Sequence, residues 1–198
     1  MISFKDFLNE KVTDNYLYHL VDIGKMESFL KNDSFGIGQT SLTRNKDIDS
    51  IGNMSNKYFQ FVFDRDKLKT RYKITPYADT SYKKKGFTDD EAEERISNFK
   101  NISKYIVEIT FLRYDDILQT VNDFKSILKE TNKHKIDYDD VKWTVDNYLK
   151  KLRGMIKEIK KSYKFNFIFN KRKTSDTELL KLIDEGIELG NSILSTIA

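Results

Sequence analysis

The sequence has no cysteine and only two histidines, His19 and His134. The lack of cysteine excludes disulfides and thiolate metal sites, and it fits a reducing compartment without requiring one. Two histidines argue against a histidine-based metal centre, so we expect no metal. A glycine-rich phosphate loop and a serine in a nucleophile elbow are also missing. These absences disfavour metal-dependent, P-loop and serine-hydrolase chemistry.

Long apolar runs are missing as well. No run approaches the ~20 residues that cross a bilayer, and the N-terminus lacks the apolar segment of a secretory signal. We therefore expect neither export nor a membrane partner. Hydrophobic residues make up 38%, aromatic residues 13% and charged residues 33% of the 198 residues. This mixture predicts one compact domain that buries a real core.

Positive charge is concentrated in one part of the chain. The formal charge is +4, but residues 133–173 contain thirteen Lys/Arg against five Asp/Glu, a net +8, so the remainder carries −4. Such a block is consistent with binding to nucleic acid or another polyanion. A solvated helix face is the commoner explanation, and the sequence leaves both open.

Hydrophobic periodicity separates a strand-rich first part from a helical second part. Short strands are predicted at 16–20, 37–43, 58–63, 72–77 and 105–112, with a helix at 22–30 and two polar loops at 45–56 and 79–86. From about residue 114 the pattern predicts helices at 116–131, 139–162 and 177–197, with a strand at 165–169. The expected fold class is α+β, with a mixed, largely antiparallel sheet and C-terminal helices.

An acidic stretch at 89–94 has five carboxylates in six positions, just upstream of the apolar run 105–112. We expect it to lie beside this run, where burying a carboxylate costs free energy, so such residues are candidates for a functional site. If the stretch is a strand, Glu91 and Glu93 share one face and Glu94 points away. If it is helical, Asp90 and Glu94 share a face. A plain N-terminal helix cap is the alternative.

Two motifs precede the acidic stretch: Tyr-His-Leu at 18–20 and Ser-Leu-Thr-Arg-Asn at 41–45. With Glu-Ala-Glu at 91–93, their order resembles the ADP-ribosyltransferase fold over roughly residues 16–113. That fold includes bacterial toxins, phage enzymes that modify host proteins, and RNA 2′-phosphotransferases. Phe-Val-Phe-Asp-Arg-Asp-Lys-Leu at 61–68 is similar to a block in phage proteins of this kind. Gln60 departs from the pattern, because a basic residue is expected there.

The resemblance implies NAD as the substrate and assigns the site residues. His19 would bind the adenylate side of NAD, Ser41 and Thr43 would brace the pocket, and Arg44 would pair with a phosphate. Glu93 would act on NAD and Glu91 on the acceptor. Cleavage of the nicotinamide–ribose bond passes through an oxocarbenium-like state, which a carboxylate stabilises.

The first ten residues resemble the capsid-targeting leaders of internal proteins from large tailed bacteriophages. Such leaders are cut after an apolar-x-Glu triplet, which Leu8-Asn9-Glu10 matches. This likeness implies a cleavable leader at 1–10, a single transferase-like domain at 11–198, and a protein carried in the virion into the host cytoplasm. The acceptor would be a host protein or nucleic acid.

Two other functions stay open at this point. A catalytically silent protein of the same fold would use its basic C-terminal helices to bind nucleic acid or a host protein, since a fold alone does not license activity. An RNA 2′-phosphotransferase also uses NAD but needs several basic residues in its pocket. One histidine and one arginine at the matching positions argue against it.

Overall fold

The chain forms a strand-rich unit followed by a helical unit. A computed structural model of the protein describes residues 15–44, 56–76, 93–129, 137–169, 172–174 and 177–197. The two compact units are Met1–Ile109 and Thr110–Ala198. The predicted α+β class is confirmed. The predicted leader at 1–10, the loop at 79–86 and nearly all of the loop at 45–56 lie outside the described residues.

An open, mostly antiparallel sheet of six strands organises the first unit. Its order is β4-β5-β2-β1-β3-β6, and the ladders β4–β5, β5–β2, β2–β1 and β1–β3 are antiparallel. Among the described residues of this unit, two α-helices accompany it, α1 and the short α2, with a 3-10 helix at Ile102–Tyr105. The bounds are β1 Tyr16–Val21, α1 Ile23–Asn32, β2 Gln39–Thr43, β3 Phe59–Asp64, α2 Arg65–Lys69, β4 Thr75–Pro76, β5 Glu93–Ser97 and β6 Ile106–Phe111.

The β3 strand supplies much of the apolar core of this unit. Phe59, Phe61 and Phe63 are fully buried and alternate along the strand, as predicted. Gln60 and Val62 between them are also buried, at 3% and 6% exposure. The strand is therefore covered on both faces. The helix α2 follows directly, and the carboxylate of its N-cap Asp64 accepts from the Lys67 amide at 3.0 Å.

A side-chain cap begins α1, and a residue in the left-handed conformation ends it. The Asp22 carboxylate accepts from the Lys25 amide at 2.8 Å, which satisfies one of the unpaired amides of the first turn. At the other end Asp33 adopts the left-handed conformation with φ 50°. Its carboxylate accepts from the amide and hydroxyl of Ser103, both at 2.7 Å. These bonds hold an aspartate where glycine is usual.

Four α-helices and one π-helical segment make up most of the described part of the second unit, and the hairpin β7–β8 lies between α5 and α6. The bounds are α3 Tyr114–Lys129, α4 Tyr138–Trp143, a π-helical segment Thr144–Leu149, α5 Lys150–Ser162, β7 Phe165–Phe169, β8 Arg172–Thr174 and α6 Thr177–Ile197. The predicted helix at 139–162 is thus continuous through a π-helical segment. Val141, Val145 and Leu149 are buried and spaced four apart. A spacing of four is close to one helical turn, so these three side chains lie toward one side and join the core of this unit.

Two glycines of α6 allow close approach of neighbouring helices. A Cβ at Gly186 would lie 3.0 Å from Leu149 Cδ1 and 3.2 Å from Val121 Cγ2. At Gly190 it would collide with Val145 Cγ2 and lie 2.9 Å from Phe124 Cε2. The helices therefore pack over these two positions because no side chain occupies them.

Candidate functional site

The three strands that carry the predicted motifs are neighbours in the sheet. β5 holds Glu93, β2 holds Ser41 and Thr43, and β1 holds His19, in the spatial order β5-β2-β1. β1 and β5 are separated by 71 residues in sequence, so local sequence patterns did not predict that these strands are neighbours. The sheet therefore assembles the motifs into one region of the first unit.

The β2–β5 ladder sets the relation between the Ser-x-Thr motif and the acidic stretch. Thr43 is the Cα partner of Glu93, Leu42 of Glu94 and Ser41 of Arg95. From Glu93 onward the segment is a strand, so the helical alternative does not hold for these residues. Glu91 lies outside the described residues. The register thus distinguishes Glu93, opposite a threonine, from Glu94, opposite a buried leucine.

Glu93 and Glu94, the two residues of the acidic stretch that the structure describes, do not lie beside the apolar run 105–112 as expected. That run supplies β6, and β2, β1 and β3 lie between β5 and β6 in the sheet. The acidic residues lead instead into β5, which pairs with β2 and the short β4. Sequence proximity misled here, because neighbours in sequence are frequently not neighbours in a sheet.

His19 is buried and held in one tautomer. Its Nδ1 lies 2.7 Å from the carbonyl oxygen of Ser41. A carbonyl only accepts, so Nδ1 carries the proton and Nε2 is an acceptor. Burial, together with the charges of Lys25 and Lys57, lowers the pKa of the imidazole from 6.5 to about 3. His19 is therefore neutral at physiological pH.

Nε2 of His19 is buried and has no hydrogen-bond partner within the described part of the chain. The ring is 8% exposed and lies 4.7 Å from the ring of Phe35, centroid to centroid. An unsatisfied buried acceptor costs about 1–3 kcal/mol, which is a common sign of a ligand or a functional strain. The imidazole thus offers a fixed acceptor to a hydroxyl or amide donor.

His19 and the hydroxyl motif do not share a sheet face. β1 and β2 pair at Tyr18 and Thr43, and directly opposed residues of an antiparallel pair lie on one face. His19 alternates with Tyr18 and therefore lies on the opposite face, where it pairs with Phe61 of β3. The imidazole reaches the Ser-x-Thr motif through the main chain of Ser41 and not through its hydroxyl.

A polar sheet surface lies on the Ser41 side. Ser41 is exposed and Thr43 is half-buried. Arg95, opposite Ser41, donates from Nη1 to Gln39 Oε1 at 3.4 Å. Arg44 follows β2 directly and is half-buried. Sequence reasoning did not select Arg95 or Gln39, although two-residue alternation from Glu93 and Ser41 would have indicated both.

Gln60, noted as a departure from the family pattern, is buried on β3 opposite Leu20. Its side-chain nitrogen has no hydrogen-bond partner among the residues that the structure describes. By the β1–β3 register it lies on the face of Tyr18, away from His19. A lysine here would bury a charge, so this site favours an uncharged residue.

No protein family, curated protein or solved structure matches this chain. The resemblance to ADP-ribosyltransferases therefore rests on the motifs of this sequence. Within the described ranges, no group of three or more histidine, aspartate or glutamate side chains is arranged to hold a metal ion. No helix among the described residues is long and apolar enough to span a membrane.

Proposed function

We propose that this protein is an NAD-dependent mono-ADP-ribosyltransferase that modifies a host protein or nucleic acid. The observation that carries the proposal is the β2–β5 register, in which Glu93 lies opposite Thr43 on the strand next to β1. A transferase of this type needs a carboxylate beside hydroxyl side chains on adjacent strands. The ADP-ribosyltransferase-like fold is part of the same proposal.

The proposed reaction breaks the bond between the ribose C1′ and the nicotinamide nitrogen. Nicotinamide leaves with the bonding electron pair, and a nucleophile on the acceptor forms the new bond to C1′. Glu93 holds a ribose hydroxyl and offsets the positive charge that develops on the sugar. Glu91 takes the proton that the acceptor loses. The acceptor keeps the ADP-ribose.

The remaining residues bind NAD in this proposal. The unprotonated Nε2 of His19 accepts a hydrogen bond from a hydroxyl on the adenylate side of NAD, a role supported by its buried, unpartnered lone pair. Ser41 and Thr43 brace the pocket, and Arg44 pairs with a phosphate of the cofactor. Because His19 and Thr43 lie on opposite faces, NAD would have to reach both by passing the ends of the paired strands β1 and β2.

Label transfer from NAD tests the proposal. Purified protein and labelled NAD are incubated with bacterial lysate, for the wild type and for Glu93→Gln and Glu94→Gln. We expect transfer to fall about 10²- to 10³-fold in Glu93→Gln and to stay near wild type in Glu94→Gln, which removes the same charge one residue away. Equal activity in the two variants would reject the assignment of Glu93. No transfer by the wild type would favour the catalytically silent binding protein.

Phage origin and packaging form a separable part of the proposal, carried by the leader-like residues 1–10. A protein packaged in the head would enter the host cytoplasm with the DNA. Mass spectrometry of purified virions should then find a mature chain that begins at Lys11. Detection of the uncut chain in infected lysate alone would reject packaging and leave the transferase proposal untouched.

A further inference from the structure

The second unit has an exposed, strongly basic helix surface. From Lys150 to Lys164 the chain contains seven Lys/Arg and one Glu, a net +6. Leu152, Ile156 and Ile159 on the other side of α5 are buried. The six lysines at 150, 151, 157, 160, 161 and 164 are all exposed. We call these six lysines, together with Trp143, the basic strip.

Acidic residues are few in this part of the chain, since residues 142–164 contain eight Lys/Arg against the two acids Asp146 and Glu158. Asp146 accepts from Lys142 Nζ at 2.8 Å and from Lys150 Nζ at 2.7 Å, so one carboxylate faces two ammonium groups. Glu158 accepts from Lys161 Nζ at 2.6 Å. Exposed pairs of this kind contribute little to stability. The strip therefore remains positive along the helix and attracts a polyanion.

Trp143 lies at the N-terminal end of this surface. It is the one tryptophan of the chain, and 60% of its side chain is exposed. A tryptophan is usually well buried, because its large apolar ring gains from leaving water. Trp143 is the residue directly before the π-helical segment Thr144–Leu149. Such segments are frequent at functional sites. An exposed aromatic ring beside lysines is the arrangement that stacks an unpaired base.

We propose that the basic strip binds single-stranded nucleic acid, with a base stacked on Trp143 and the phosphates beside the lysines of α5. The charge of the strip matches a polyanion, and the exposed ring favours a strand whose bases are unpaired over a duplex or an acidic protein. The surface lies wholly within the second unit, so the proposal is independent of the transferase chemistry. It assigns the nucleic-acid contact to residues 143–164.

Tryptophan fluorescence gives a direct test, because Trp143 is the one tryptophan of the chain and its emission therefore reports on this surface. We expect an oligothymidylate of about 20 nucleotides to quench the tryptophan emission of the full chain, and the matched duplex to bind more weakly. Trp143→Ala, which removes an exposed side chain, should weaken binding about tenfold, measured by anisotropy of a labelled strand. Unchanged emission on binding, or equal affinity of Trp143→Ala, would overturn the stacking arrangement.

Salt dependence tests the lysines. Between about 50 and 200 mM salt, Lys157→Gln/Lys164→Gln should show a slope of log affinity on log salt shallower by about 0.7 for each lysine lost. The control is Lys67→Gln/Lys69→Gln on α2, which removes the same charge from the first unit and should keep the wild-type slope. The same slope change in both variants, no binding at low salt, or equal binding of a polyglutamate would overturn the proposal.

Discussion

Among the candidate site residues, His19 has the best-defined hydrogen bonding. Its sequence context, an imidazole between apolar neighbours, fits either a core histidine or a ligand-binding one. The structure fixes its tautomer through the Ser41 carbonyl and leaves Nε2 without a partner among the described residues. A core histidine that served packing alone would normally satisfy both nitrogens.

The lowered pKa of His19 makes the stability of the fold depend on pH. The imidazole has a pKa of about 3 when folded and 6.5 when unfolded, so the unfolded state binds more protons between these values. The free energy of unfolding is therefore unaffected by His19 titration well above pH 6.5, and it falls as the pH is lowered from 6.5 toward 3. At pH 5 the loss is about 2 kcal/mol relative to pH 8.

Urea unfolding of the wild type and His19→Asn at about pH 7.5 and pH 5 measures this loss. Asparagine retains a donor for the Ser41 carbonyl but does not titrate. Carboxylates and His134 are common to both proteins and cancel in the comparison. We expect the wild type to lose about 2 kcal/mol more than the variant on acidification. An equal loss in both proteins would mean that His19 is not buried and neutral.

Helices and strands were the most predictable level of the molecule. Strands at 165–169 and helices at 177–197 were predicted to the residue, because their apolar spacing matches one period throughout. The strand β8, three residues rich in charge, left no such signal. The helix predicted at 22–30 ends at Asn32 with Asp33 as its C-cap, and the Asp33 side chain is held by Ser103, seventy residues away. Long-range bonds of this kind are invisible to local patterns.

The packing of α6 yields a matched pair of glycine substitutions. Gly190→Ala would drive a methyl group into Val145 and Phe124, and overpacking of this kind costs about 1–3 kcal/mol. Gly154→Ala in α5 meets nothing within 4 Å, so it should stabilise the protein by about 0.5–1 kcal/mol through helix propensity. Thermal unfolding of the two variants should move the transition in opposite directions. A stabilised Gly190→Ala would contradict the close approach at α6.

For the whole molecule, the sequence predicted the α+β class and the change of character near residue 114, close to the boundary between units at Ile109 and Thr110. It did not predict the strand order. Sheet order depends on contacts between segments far apart in the chain, which neither periodicity nor turn residues encode. The adjacency of β5, β2 and β1 is therefore the structural finding on which the candidate site depends.

In the whole molecule, the distribution of charge assigns the two proposed activities, nucleic-acid binding and NAD cleavage, to different units. Residues 133–173 carry a net +8 while the rest of the chain sums to −4. Trp143→Ala and Lys157→Gln/Lys164→Gln change only the second unit, so they should weaken nucleic-acid binding and leave cleavage of NAD in the absence of acceptor unchanged. Parallel loss of both activities in these variants would show that the two activities are not separate.

The most direct test of the central claim is the release of nicotinamide from NAD by the purified protein, followed by chromatography without any acceptor. The proposed site cleaves the same bond whether water or a macromolecule accepts the ribose. We predict measurable release by the wild type, a fall of about 10²- to 10³-fold in Glu93→Gln, and near wild-type release in Glu94→Gln. Release that Glu93→Gln leaves unchanged, or no release together with no binding of NAD, would contradict the account.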